Sequence, residues 1–144
     1  MESPRTPASS AGAVIDRLLQ ATNARDLEAL VGCFAPHYVN ETPAHPARGF
    51  TGSDQVRRNW AQIFAAVPDL VARITGWAEN DGAVWTEWEM SGSRRDGSPH
   101  HIRGVIIFRV TDDRITAARF YLEPVDTSTD NVDAAVAAQL AGRP

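Results

Sequence analysis

The stretch that decides the fold is residues 68–92, PDLVARITGWAENDGAVWTEWEMSG. Before Pro68 the apolar residues recur at helical spacing, as Val56, Trp60, Ile63, Phe64 and Val67. After it they alternate, with Val84, Thr86, Trp88 and Met90 on one side and Trp85, Glu87 and Glu89 on the other. A change of period from about 3.6 to 2 marks a helix giving way to strands. Asn80-Asp81-Gly82 interrupts the alternation with a tight-turn sequence, because Asp and Gly accept the positive φ that a two-residue hairpin needs. The reading is a hairpin with strands over 69–79 and 83–92.

Outward from this hairpin the same logic extends both ways. Arg95-Asp96-Gly97-Ser98-Pro99 reads as a longer connection into a strand over 100–111. Asp112-Asp113 turns that strand into another over 114–123. On the N-terminal side, a helix capped by Thr51 or Ser53 ends at Pro68. The segment Glu41 to Thr51, with Pro43, Pro46 and Gly49, reads as a loop, and Tyr38-Val39-Asn40 as a short strand. Asp26 caps a helix that directs Leu27, Leu30, Val31 and Phe34 inward and ends at Pro36. A first helix starts at Ala11 behind Ser10, carries Val14, Leu18 and Ala21 on one face, and stops at Asn23. Residues 1–10 are expected to be a disordered tail, 11–126 one domain, and 127–144 a C-terminal helix or flexible tail. Helices followed by a meander give an α+β domain. Three helices cannot cover both faces of so long a sheet, so they should pack in its concave face and leave a pocket. The other face is then polar or buried against a second copy.

Composition removes several function classes. A net charge of −4 and a pI near 5.5 argue against nucleic acid, which calls for a basic face. No apolar run approaches the roughly 20 residues of a spanning helix, so no membrane partner is expected. The opening MESPRTPASS has no apolar core of a secretory signal. Cys33, the single cysteine, cannot form an internal disulfide and reads as core. A cytoplasmic location is the expectation left by these absences. No spaced Cys, His and carboxylate cluster and no Gly-rich phosphate loop is present, so no metal and no cofactor is expected.

The run Asn23-Ala-Arg-Asp-Leu-Glu-Ala-Leu-Val-Gly-Cys-Phe-Ala-Pro-His-Tyr-Val39 is joined by Gly52, Val67-Pro68-Asp69-Leu70, Asp81-Gly82 and Arg114-Ile115. In this order, over residues 12 to 126, they resemble the SnoaL-like branch of the nuclear-transport-factor-2-like superfamily. The resemblance implies a cone-shaped fold with a deep apolar cavity, usually dimeric through its sheet. Relatives of this kind include polyketide cyclases, ketosteroid isomerases, limonene-type epoxide hydrolases and non-catalytic binders, so fold alone does not assign function.

Individual positions narrow that range. Tyr38-Val39-Asn40 is similar to the Tyr-x-Asn with which the epoxide hydrolases hold a water. Their Arg-x-Asp falls on Trp88-Glu89-Met90, and Phe120 stands at their catalytic carboxylate. Without that carboxylate the standard mechanism has no base. The Gly-Thr-His-x-Gly run of the cyclases is matched by Gly92-Ser93-Arg94-Arg95-Asp96-Gly97, which lacks the histidine.

With a two-residue turn at Asp112-Asp113, Val105 faces Phe120 and Arg103 faces Leu122. Arg103, Val105 and Ile107 then share the cavity wall with Trp88, Met90, Phe120 and Leu122, and Trp60 and Phe64 close it. A one-residue bulge would swap the faces. Tyr38, Asn40 and Arg103 are the candidate catalytic groups: the first two hydrogen-bond a carbonyl or hydroxyl, and the arginine stabilises developing negative charge. Trp60, Phe64, Trp88, Met90, Phe120 and Leu122 are the candidate substrate contacts. Glu87, Glu89 and His101 are possible acids or bases, although this face assignment turns both glutamates outward, towards Arg103, Arg109 or Arg119. The expected function is cofactor-independent cyclisation or isomerisation of an apolar polyketide- or terpenoid-like molecule. The alternatives are a non-catalytic small-ligand binder and a variant epoxide hydrolase or epoxide-opening cyclase. The expected partners are that small molecule and a second copy of the chain.

Overall fold

The computed structural model describes residues 10–142, so the tail expected over 1–10 lies almost wholly outside the described residues. The elements in chain order are α1 (Ser10–Ala24), α2 (Leu27–Gly32), β1 (Phe34–Glu41), a 3₁₀ turn (Pro46–Arg48), β2 (Phe50–Thr51), α3 (Ser53–Ala66), β3 (Val71–Asn80), β4 (Ala83–Ser93), β5 (Pro99–Thr111), β6 (Arg114–Pro124) and α4 (Val132–Leu140). The strands form one curved sheet in the order β2-β1-β6-β5-β4-β3. Only the β1–β6 pair is parallel. Helices α1 and α3 pack into its concave face, giving the α+β cone expected from the alternation after Pro68.

The hairpins follow their turn chemistry. Asp81 and Gly82 both have positive φ and join the Asn80–Ala83 pair, and Asp112 and Asp113 do the same for Thr111–Arg114. Two helix ends are also built as the sequence suggests. The Asp26 carboxylate accepts the Ala29 N–H at 3.1 Å and caps α2. Asn23, instead of simply breaking α1, forms two hydrogen bonds with the backbone of Ala72, accepting its N–H at 2.7 Å and donating to its carbonyl at 2.9 Å. It thereby occupies the free edge of β3, which an open sheet otherwise leaves exposed.

Three local expectations are corrected. Pro36 does not end a helix: α2 stops at Gly32, and Phe34 begins β1, facing the core from a strand. Phe34 sits four residues after Leu30 and fits a helical stripe equally well. What decides is its pairing with Ile115, a contact 81 residues away (115 − 34). Pro36 is tolerated because it falls in the irregular stretch between the Phe34–Ile115 and Val39–Ala117 pairs. The N-cap of α3 is Gly52, at φ 103°, rather than Thr51 or Ser53. Its N–H donates to the Tyr38 carbonyl at 2.7 Å, fastening the start of α3 to β1.

The third correction concerns the sheet faces. The two-residue turn is present, yet Val110 pairs with Ile115 while Arg109 pairs with Ala117. Thr116 is the extra residue of a β-bulge. From there onward Ile106 faces Phe120 and Gly104 faces Leu122. The inner face of β5 is therefore His100, Ile102, Gly104, Ile106 and Phe108. Arg103, Val105 and Ile107 turn outward, beside Trp85, Glu87 and Glu89. The inner set on β4 is as expected, with Val84, Thr86, Trp88 and Met90 all buried.

Residues Val132–Leu140 do form a helix, capped by Asn131, but every residue of it is exposed, so it adds nothing to the core.

Candidate functional site

Between α3 and the concave sheet lies a cavity of about 390 Å³. Its wall is mostly apolar and aromatic: Phe34, Phe50, Trp60, Ile63, Met90, Ile102, Phe120 and Leu122 take part. A size of this order and an apolar wall with few polar groups are the usual properties of a small-molecule site. A small void of about 20 Å³ beneath it is lined by Trp88, Met90, Phe108 and Phe120, among others.

The polar groups of the cavity come from several elements. Strand β1 supplies Tyr38 and Asn40, two residues apart and so on one face. The Tyr38 hydroxyl donates to Asn40 Oδ1 at 2.7 Å. Tyr38 is 1% exposed, and burial pushes its hydroxyl far above the ordinary tyrosine range, so it stays neutral and keeps this bond. With its oxygen held, Asn40 has its amino group left to offer. Among the described residues that group has one hydrogen-bond partner, Thr42 Oγ1 at 3.5 Å, which is long for such a bond. Helix α3 supplies Asn59, whose oxygen is taken by Gln55 at 2.8 Å. Two further sources are less obvious. His100, at the start of β5, and Arg48, at the end of the 3₁₀ turn, complete the wall. Burial, assisted by Arg94, lowers the His100 pKa below the ordinary histidine value. The imidazole is therefore neutral at pH 7 and able to accept a proton.

Of the candidate substrate contacts, Trp60, Met90, Phe120 and Leu122 line the cavity. Trp88 does not reach it. It stands beneath, 2% exposed, with Nε1 donating to Thr86 Oγ1 at 2.7 Å and its ring edge-on to Phe108. Phe64 backs Trp60, with ring centroids 5.5 Å apart. Tyr38 and Asn40 are brought together in the wall. Arg103 is not, because the Thr116 bulge turns it to the opposite face.

Glu87, Glu89 and His101 also lie on that outer face. Glu89 accepts from His101 Nε2 at 2.7 Å and from Arg73, with Arg103 at 3.7 Å. The hydrogen bonds from His101 and Arg73, with the charges of Arg103 and Arg73, hold its carboxyl down at about 2. A carboxylate held so firmly ionised is a structural ion partner, not a proton carrier. Glu87 is exposed, opposite Gly76 and Val105. The cavity residues not singled out from the sequence include His100, Arg48 and Asn59. His100 and the candidate His101 are neighbours, and only the inward parity of β5 separates the two. Among the described residues, no three His, Cys, Asp or Glu side chains converge.

Known proteins share this fold. AclR from Streptomyces galilaeus superposes with a TM-score of 0.69 at 15% identity, covering 91% of each chain. An epoxide hydrolase of Mycobacterium tuberculosis resembling the limonene enzymes gives 0.68 at 18% identity, covering 92% of this chain and 91% of its own. RV0760c of Mycobacterium tuberculosis, solved with estradiol-17β-hemisuccinate, gives 0.68 at 20%, covering 88% and 97%. At these identities the likeness is one of fold. No curated protein matches by sequence. The SnoaL-like domain, however, matches over residues 15–118, from the core face of α1 to the inner face of β6. The chain belongs to the SnoaL-like domain family.

Proposed function

We propose that the protein is an enzyme that cyclises or isomerises an apolar, polyketide- or terpenoid-like molecule inside the cup. The observation that carries this reading is that one cavity wall holds both an oriented amide donor, Asn40, and a neutral imidazole, His100. The apolar body of the substrate lies against Trp60, Phe120 and Leu122. Its carbonyl oxygen accepts from the Asn40 amino group. His100 removes a proton from the carbon next to that carbonyl, and the electron pair moves onto the oxygen as an enolate. For isomerisation, the imidazolium returns the proton to another carbon of the conjugated system. For cyclisation, the enolate carbon attacks a second carbonyl of the same molecule, and the resulting alkoxide takes the proton back. A positioned base contributes about 10²–10⁴-fold, and the rigid cup adds proximity. That RV0760c holds a steroid ester in a similar fold supports an apolar polycyclic ligand.

A second reading, a binder without chemistry, is favoured by the wall's lack of any Asp or Glu. The epoxide-opening alternative is weaker: Tyr38 and Asn40 are in place, but Phe120 lines the wall where the carboxylate would act. One experiment separates the first two readings. The protein is incubated in D₂O with an apolar cyclic monoketone, and exchange at the C–H next to its carbonyl is followed by NMR while tryptophan fluorescence reports binding. Catalysed exchange is the expected result. Saturable binding with exchange at the buffer rate would leave the binder.

The outer sheet face is the second surface with a proposed partner, another copy of this chain. Val71, Trp85 and Tyr121 are 54%, 44% and 42% exposed there, and Trp85 and Ile107 help to line a shallow groove of about 230 Å³. A second copy of the chain would cover these exposed apolar side chains. Sedimentation is expected to give a dimer at micromolar concentration and a monomer for Trp85→Glu. A monomeric wild-type protein would remove the proposal.

A further inference from the structure

The cup is lined by one permanent positive charge and no negative one. Its ionisable wall residues are Tyr38, Arg48 and His100. Tyr38 is held neutral by burial, and His100 is shifted towards its neutral form. Arg48 is the one guanidinium in the wall. No hydrogen bond or ion pair ties down its guanidinium among the described residues.

Several other charges of the molecule are paired. In the same loop His45 holds Glu123 at 3.0 Å. Arg57 on α3 grips Glu28 through both of its terminal nitrogens. Glu89 is shared by His101, Arg73 and Arg103 on the far side of the sheet. Glu41 lines the outer groove and not the cup. Asp54, the carboxylate nearest to Arg48 in sequence, is likewise absent from the cup wall.

The backbone also fixes where Arg48 stands. The 3₁₀ turn is closed by Arg48 N–H to His45 O at 2.9 Å and Gly49 N–H to Pro46 O at 3.2 Å. Phe50 then pairs with Asn40, so the turn is anchored to the strand that carries the Tyr38–Asn40 pair. An unpaired planar cation at the rim of an apolar, carboxylate-free cavity is a receptor for a carboxylate. The protein as a whole carries a net charge of −4 and repels anions, so a local cation is what admits one.

We propose that Arg48 selects an apolar molecule bearing a carboxylate, holding that group at the rim while the hydrocarbon body enters the cup. The assignment rests on the reading of the cup as a small-molecule site, and adds to it the acidic class of ligand and the residue that recognises it. Arg48 is a specificity residue here and takes no part in proton transfer.

The test uses 1-pyrenebutyric acid and its methyl ester, which share one apolar body and differ by the charge. Binding of each to the full chain is measured at pH 7 by pyrene fluorescence, for wild type, Arg48→Gln and His100→Gln. The expected result is about tenfold tighter binding of the acid by wild type, reduced to within about twofold in Arg48→Gln, with ester affinity unchanged. The preference should weaken with added salt, as contacts to an exposed cation do. Equal binding of acid and ester by wild type would overturn the assignment and leave the cup reading standing. So would a preference that survives Arg48→Gln and disappears in His100→Gln. If neither compound binds, the cup reading itself fails, and the assignment with it.

Discussion

Replacing Gly104 with alanine is expected to cost about 4 kcal/mol or more, enough to leave the chain marginally folded, because domains of this size have only about 5–15 kcal/mol in total. Gly104 lies in the middle of β5 at φ 150°, opposite Leu122 on β6 and Trp88 on β4. A Cβ there would stand 2.1 Å from the Tyr121 carbonyl oxygen and 2.9 Å from Leu122 Cα. Both are backbone atoms of the neighbouring strand, so no rotamer change relieves the overlap. A strand glycine of this kind marks a close approach of two backbones. Moving β6 away would disturb Phe120 and Leu122, which form part of the cup. Urea titration measures the effect, with Gly97→Ala as the reference. Gly97 also has positive φ, 87°, but has nothing within 4 Å of its missing Cβ, so it carries only the conformational cost of about 1 kcal/mol. A Gly104→Ala midpoint close to that of Gly97→Ala would show that the strands yield more easily than this geometry allows.

Gly104 also bears on what the sequence could reveal. Turn chemistry is local, and the hairpins at Asp81-Gly82 and Asp112-Asp113 could be read directly from it. The alternation of β4 was equally plain, because its outward positions carry Glu87 and Glu89 while its inward ones carry no charge. The middle of strand β5 is apolar on both faces, with Ile106 and Phe108 inward against Val105 and Ile107 outward. Counting register from the turn then misled, because the Thr116 bulge is set by how β6 fits between β5 and β1. A signal was nevertheless present. Arg103 and Arg109 both occupy the odd positions of β5, and no even position from 100 to 110 carries a permanent charge. Weighing charge parity above turn register would have placed His100, not Arg103, in the cup. The start of β1 had no such signal, since Phe34 fits the stripe of α2 as well as it fits a strand. Tyr38 and Asn40 stood out because the i, i+2 spacing that puts them on one face does not depend on distant pairing.

His100→Gln is expected to lower catalysed C–H exchange by about 10²–10⁴-fold, the contribution of a positioned general base, while pyrenebutyrate ester binding stays within about twofold. Glutamine keeps the approximate length and a hydrogen-bonding end but cannot take up a proton near neutral pH. The wild-type pH profile tests the same assignment independently. The working form of the base is the neutral imidazole, so the rate is lost as pH falls through the pKa of His100 in the folded protein. Burial is the main cause that lowers this pKa, with the Arg94 charge second. The acid limb is therefore expected below pH 6.5, the value of an unperturbed histidine. Arg94→Ala should move that limb upward by less than the full shift, because the burial of His100 remains. His101→Gln is the control. It removes the 2.7 Å partner of Glu89 on the outer face and should leave both rate and limb in place. If His101→Gln abolished exchange and His100→Gln did not, the proton would be moving on the outer face of the sheet. The cup would then be a binding cavity beside a reaction centred on Glu89. The firm ionisation of Glu89 at about 2 argues against that outcome, since so weak a base has little capacity to take a proton from carbon at neutral pH.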